Sequence, residues 1–192
     1  ASDAFVQLAS EYAANGVRLF GGCCGTTPEY IEGIKQALQG VEPVDLEVKN
    51  MPYISSAMNL LSLNEIENIE ICHYADFIQQ DADNILSGEE NSIMVAALDI
   101  SAENPDAVYF DLDGKMKDEN TLTTIIDLSQ GYIRAPFILR TEDAIQLKKL
   151  LRLFRGKAGI VIDGYSEETT EELLKAGRKY GALIIDREYI QK

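Results

Sequence analysis

The sequence predicts an α/β protein built from parallel βα units, arranged as an open sheet or as an arc of a barrel. Three observations predict it. Through the last third, short apolar strands alternate with amphipathic helices. Gly156, Gly164 and Gly181 punctuate the joins between them. Near the N-terminus a further apolar run leads through a glycine-rich turn into a helix. Right-handed crossovers between sequential strands suit either arrangement.

Asp3 to Ala14 reads as a helix, with Phe5, Val6, Leu8, Ala9 and Tyr12 at helical spacing and Asn15-Gly16 as its stop. Val17 to Phe20 reads as a short buried strand, and Gly21 to Thr27 as a turn. Thr27 is the expected N-cap of a helix that begins at Pro28, where the missing amide costs nothing, and ends at Gly40. Val41 to Pro52 mixes prolines with alternating charge and reads as a linker. Asn64 to Ile71 fits strand or helix, Tyr74 to Leu86 looks helical, and Ser92 to Ile100 fits a buried strand or a buried helix. Strands follow at Ala107 to Leu112, Pro136 to Leu139, Gly159 to Ile162 and Ala182 to Ile185. Helices follow at Glu119 to Gln130, Glu142 to Phe154 and Glu167 to Tyr180. The division expected is 1–40 as a terminal βα unit, 41–52 as a linker and 53–192 as an α/β region.

Composition narrows the function. The net charge of −15 repels phosphate backbones and anionic membranes, so neither nucleic acid nor a membrane is an expected partner. No apolar run reaches the roughly 18 residues of a membrane helix, and the N-terminus lacks a secretory layout. Three cysteines, Cys23, Cys24 and Cys72, make a disulfide framework unlikely on counting grounds and favour reduced thiols in a cytoplasmic setting. With His73 the single histidine, a histidine-rich metal site is excluded. The helical pattern at the first residues suggests a piece of a longer protein.

The segment Gly21-Gly22-Cys23-Cys24-Gly25-Thr26-Thr27-Pro28-Glu29 carries the chemistry. Glycines permit the sharp turn that two adjacent thiols need to face one centre. Thiolates are soft ligands suited to zinc, which can hold a substrate thiol as its thiolate. The alternative is that two small apolar residues fill a strand end. Asp111 and Asp113 share one strand face and fit either a polar strand terminus or a magnesium or acid–base pair. Asp163 and Arg140 also stand at strand ends. Cys72-His73 reads as a buried cysteine beside a surface histidine. The acidic start of the helix at Glu167 reads as a solvated turn favourable to the helix dipole.

Gly16-Val17-Arg18-Leu19-Phe20 followed by Gly21 to Tyr30 resembles the last strand and loop of the homocysteine S-methyltransferase family, over roughly residues 3 to 40. The resemblance implies that Cys23 and Cys24 are zinc ligands. It also implies that the family's third cysteine lies on an earlier strand of a TIM-like barrel. Two ligands leave a tetrahedral site half built, so zinc binding by this chain alone is expected to be weak. In cobalamin-dependent methionine synthases of this family a pterin-binding barrel follows, and Ala107 to Ile185 resembles part of it. Asp111-Leu112-Asp113-Gly114 falls at an Asp-x-Asn strand end, Gly156-Lys157-Ala158-Gly159-Ile160 at a Gly-Lys strand, and Lys179-Tyr180-Gly181 before the next strand.

The departures from that pattern fall at the ligand site. Arg140 stands where the family has aspartate, while Val161 and Asp113 stand where it has asparagine. Each lost hydrogen-bonding group costs about 1–3 kcal/mol, which implies an altered, disabled folate site at Asp111, Asp113 and Arg140. A complete barrel takes about 250 residues, more than this region supplies. The resemblance therefore implies part of a methyltransferase that makes methionine from homocysteine, inactive by itself. Cobalamin and methyltetrahydrofolate would be reached only through a parent polypeptide. Its partners would be homocysteine, other modules of that polypeptide, or a second copy. Other readings are a non-catalytic scaffolding region and an aldolase-like or metal-dependent barrel fragment using Asp111 and Asp113.

Overall fold

The computed structural model describes residues 2–45, 52–63, 69–79, 81–113, 118–187 and 190. The chain divides into two compact units, Ala1–Asn50 and Met51–Lys192.

The first unit is a helical pair. Helix α1, Ser2–Ala14, ends at Gly16 with φ +92°, and helix α2, Pro28–Ala37, starts with proline in its first turn. They meet through small residues. Ala9, Ala13 and Ile34 are buried, Phe5 and Tyr30 pack edge to face at 5.3 Å, and a Cβ on Gly33 would come within 2.8 Å of Val6. Thr27 is the N-cap residue of α2 but makes no side-chain cap hydrogen bond. The expected strand at Val17 to Phe20 is not formed. That segment runs without a ladder partner, and Leu19 is 91% exposed. The reason is local: this unit has no second described strand to take up its amides and carbonyls. Residues 41–45 carry no regular structure, and 46–51 of the expected linker lie outside the described residues.

The second unit is α/β. Its order is β1 Tyr53–Ser55, β2 Leu60–Ser62, β3 Ile71–His73, α3 Tyr74–Phe77, α4 Ala82–Leu86, α5 Glu90–Glu103, β4 Ala107–Asp111, α6 Glu119–Tyr132, β5 Phe137–Arg140, α7 Ala144–Leu153, β6 Gly159–Val161, α8 Glu167–Tyr180 and β7 Leu183–Ile184. Strands β3 to β7 form one parallel sheet in chain order, an arc that does not close into a barrel. Alternation splits its side chains between two cores. Val108, Phe110, Phe137, Leu139 and Ile160 enter the larger core with the buried faces of α5 to α8. Ala107, Tyr109, Ile138, Val161 and Ile185 form a smaller core with Ile54 and Ile190.

The β1–β2 hairpin supplies the cover for that second face. Ile54 is fully buried, and Ser55 exchanges backbone hydrogen bonds with Lys157 at 2.8 and 2.9 Å. A Cβ on Gly156 would overlap the Ser55 carbonyl, so the approach requires glycine there. The Lys157 ammonium sits 4.3 Å from the centre of the Tyr53 ring.

Of the two ambiguous stretches, one is settled. Ser92 to Ile100 lies inside helix α5, whose Ile93, Ala96, Ala97 and Ile100 are buried at helical spacing. The helix expected over Tyr74 to Leu86 is broken into α3 and α4, with Asp81 as a non-helical N-cap at φ −135°. Of the stretch from Asn64 to Ile71, residues 64–68 lie outside the described residues, and Ile71 opens β3.

Candidate functional site

In the first unit the two thiols sit on a turn just before α2. The Thr26 amide donates to the Cys23 carbonyl at 2.9 Å, and the Cys23 amide donates to Thr26 Oγ1 at 3.2 Å. Gly25 takes φ +85°, a left-handed conformation that favours glycine. A Cβ on Gly22 would overlap the Thr26 side chain. The glycines flanking Cys23 and Cys24 are thus explained one by one, by sterics at Gly22 and by backbone angle at Gly25. Both cysteines are exposed and reduced. Beside them, the Glu29 carboxyl is held below the ordinary range, first by a hydrogen bond with the Thr27 side chain.

The donor chemistry fits zinc, but the number of donors does not complete a site. Tetrahedral zinc takes four ligands, three of them from protein in catalytic sites. Residues 1–50 hold no histidine and no third cysteine. Among the described residues no group of three or more histidine, cysteine or acidic side chains could hold a metal ion. Cys72 lies in β3 of the second unit, half-buried, its thiol pushed up by burial and then by Glu103, Glu70 and Asp76. His73 is half-buried rather than at the surface. Its Nε2 lies 3.2 Å from the Ile190 carbonyl, and its ring stands edge-on to Tyr109.

In the second unit Asp111, Asp113 and Arg140 come together at the carboxyl ends of β4 and β5, where the sheet register sets Asp111 directly beside Arg140. One guanidinium nitrogen, Nη1, serves both carboxylates: Asp111 Oδ1 at 3.2 Å, and Asp113 Oδ2 in a closer ion pair. Tyr165 completes the cluster. Its hydroxyl donates to Asp113 Oδ2 at 2.6 Å, and its ring lies 4.9 Å from the guanidinium carbon. Asp113 Oδ1 accepts from the Glu142 amide at 2.8 Å, and Asp111 Oδ1 from the Asp113 amide at 3.2 Å.

Electrostatics follow from this packing. Desolvation opposes the Arg140 cation, but Tyr165, Asp113 and Asp111 outweigh it and raise its affinity for the proton. Tyr165 is pushed up by burial and by its bond to Asp113. Tyr109 is pushed up to about 12, first by burial and then by Asp111. Arg140 Nε is buried with no hydrogen-bond partner among the described residues. Asp163 stays out of the cluster, its Oδ2 accepting from the Arg187 amide at 3.1 Å, and Val161 is buried in the smaller core.

The sequence reading named Asp111, Asp113 and Arg140 but missed Tyr165. The available signal was an aromatic residue one position beyond Gly164, in the exit turn of β6.

Comparison with protein families bears on the first of these two places. Residues 1–38 match the homocysteine S-methyltransferase family model. The match spans α1, the thiol turn and all of α2. The homocysteine S-methyltransferase likeness therefore includes Cys23 and Cys24, and residues 39–192 lie outside it. Among the described residues, no helix is long and apolar enough to cross a membrane.

Proposed function

We propose that this chain is part of a methyltransferase that moves a methyl group onto homocysteine, with Cys23 and Cys24 as two ligands of its zinc. The observation that carries the reading is the coincidence of the family match with an exposed vicinal thiol pair on a glycine-shaped turn. Zinc bound there would hold the homocysteine thiol as thiolate at neutral pH, a nucleophile toward a methyl donor such as methylcobalamin. In this reading Gly22 and Gly25 set the turn, Thr26 closes it, and a further ligand comes from outside these residues.

The test is zinc content and methyl transfer in a polypeptide in which the earlier strands of a homocysteine-binding barrel, lacking the last strand and thiol loop, precede this chain. One zinc per chain, and methionine formation lost in Cys23→Ala and in Cys24→Ala, is the expected result. Zinc and activity that survive both substitutions would remove the assignment.

A second reading concerns the second unit: a non-catalytic scaffold in which the positions resembling a pterin site hold the fold together. The Arg140 cluster favours it, because its carboxylates already take their hydrogen bonds from Arg140, Tyr165 and two backbone amides. Methyltetrahydrofolate is then expected to give no heat above dilution in calorimetry. Saturable folate binding would overturn this reading.

A further inference from the structure

We propose that Cys23 and Cys24 form a binding site for a monosubstituted trivalent arsenical, a soft electrophile that takes two sulfurs and keeps one carbon substituent. The number of donors points to this class. Residues 1–50 offer two thiols and no histidine, which fills half of a tetrahedral zinc shell. Trivalent arsenic already bonded to one carbon has two positions left, so the same pair satisfies it completely. The donor type agrees, because thiolate sulfur is a soft ligand that prefers soft, thiophilic centres. Reach is also met. The two Cα atoms stand about 3.8 Å apart across a trans peptide, and both side chains are exposed, which leaves each its choice of rotamer.

The turn supplies access. The Thr26 amide and the left-handed Gly25 at φ +85° hold the pair in a bend, not in an extended strand, where adjacent side chains point to opposite faces. A Cβ on Gly21 or Gly25 would meet nothing within 4 Å, so open space surrounds the thiols and admits an aryl substituent. Cys72 offers no such site, being a single, half-buried thiol on β3. In the reaction with an arsenoxide both S–H protons pass to its oxygen. Two As–S bonds form, the arsenic–oxygen bond breaks and one water leaves. Arsenic stays trivalent, so no oxidant or reductant is needed. The reagent is neutral, so the net charge of −15 does not oppose its approach. The proposal uses the thiols of the methyltransferase reading but requires neither zinc nor homocysteine.

Phenylarsine oxide added to the reduced 192-residue chain in excess glutathione tests it, read by intact mass and thiol titration. Glutathione displaces adducts held by one sulfur, while a two-sulfur chelate persists because its second bond forms within one molecule. One arsenical per chain is expected, with the three titratable thiols reduced by two and 2,3-dimercaptopropanol restoring all three. Cys23→Ser and Cys24→Ser are each expected to weaken uptake about 100-fold, and Cys72→Ser to leave it unchanged. Both vicinal substitutions fall at exposed positions, so an unaltered far-ultraviolet spectrum is expected to accompany the loss. No adduct in glutathione, an adduct that consumes a single thiol, or uptake that survives either vicinal substitution would each overturn the proposal. Such a failure beside thiolate-to-cobalt absorption from the same pair would leave the methyltransferase reading standing. Capture of the arsenical by a chain whose joined polypeptide holds no zinc would sink that reading alone.

Discussion

Arg140 holds two carboxylates with one nitrogen, and that arrangement dictates what its replacement does. With a side chain only 13% exposed, it leaves Asp111 and Asp113 facing each other uncompensated when removed. Arg140→Met is expected to lower unfolding free energy by about 1–3 kcal/mol, below the figure for a fully buried pair because Asp111 is partly solvated. Tyr165→Phe removes one hydrogen bond to a charged acceptor and is expected to cost about 1–2 kcal/mol. Urea unfolding measures both, and unchanged midpoints would show that the cluster does not clamp the strand ends. At this scale the sequence showed which strand-end positions carry charge. It did not show that they pair with one another, because that needs the β4–β5 register, in which Asp111 stands beside Arg140. Tyr165 was invisible for a related reason: it reaches Asp113 across 52 positions of sequence.

Individual elements stand on local devices that can be tested in turn. Gly156 admits the Ser55 carbonyl at the hairpin's docking point. Gly156→Ala is expected to destabilise the second unit by about 1–3 kcal/mol, as overpacking does, and to speed amide exchange in β1 before β4. Uniform exchange would contradict that order. Helices α5, α6 and α7 are capped by the carboxylates of Glu89, Asp118 and Asp143. The Glu89 side chain accepts from the Ser92 and Asn91 amides, and Asp118 accepts from the Thr121 amide and hydroxyl. Hydrogen bonds hold both carboxyls below their ordinary values, led by the Ser92 side chain for Glu89 and the Thr121 side chain for Asp118. Their contribution is present above the unfolded carboxylate range of about pH 4 and is lost as pH falls through the folded values. Glu89→Gln with Asp118→Asn is therefore expected to flatten the acid limb of a stability–pH curve, and an unchanged limb would contradict it.

Legibility differed among these elements for physical reasons. The helices from α6 onward and strands β4 to β7 were readable because strands buried on both faces read as short apolar runs between amphipathic helices, and glycines mark the joins. Helix α5 read ambiguously because Ile93, Ala96, Ala97 and Ile100 sit among further apolar residues, Val95 and Leu98, that remain exposed. The strand expected at Val17 to Phe20 failed because apolar residues alone do not make a strand without a partner to bond. The β1–β2 hairpin left no signal beyond one buried residue, Ile54, across its two three-residue strands.

Considered as a whole, the molecule joins a helical pair bearing two thiols to a five-stranded arc whose second face is closed by its own hairpin. The arc's core should lose stability in strong alkali. Burial pushes Tyr74 and Tyr109 up to about 12, and Tyr165 higher still. Folded values above the ordinary phenol near 10 mean that this stabilisation is whole below about pH 10 and is lost as pH climbs toward 12. Ultraviolet titration is expected to show some of the nine tyrosines ionising only as the chain unfolds. Full ionisation of the folded chain near pH 10 would contradict that packing.

The central claim is that Cys23 and Cys24 act together as metal ligands, and cobalt(II) titration of the 192-residue chain tests it most directly. Weak binding is expected, with thiolate-to-cobalt absorption that disappears in Cys23→Ser and in Cys24→Ser and persists in Cys72→Ser. Absorption that depends on Cys72, or that survives loss of the vicinal pair, would contradict it.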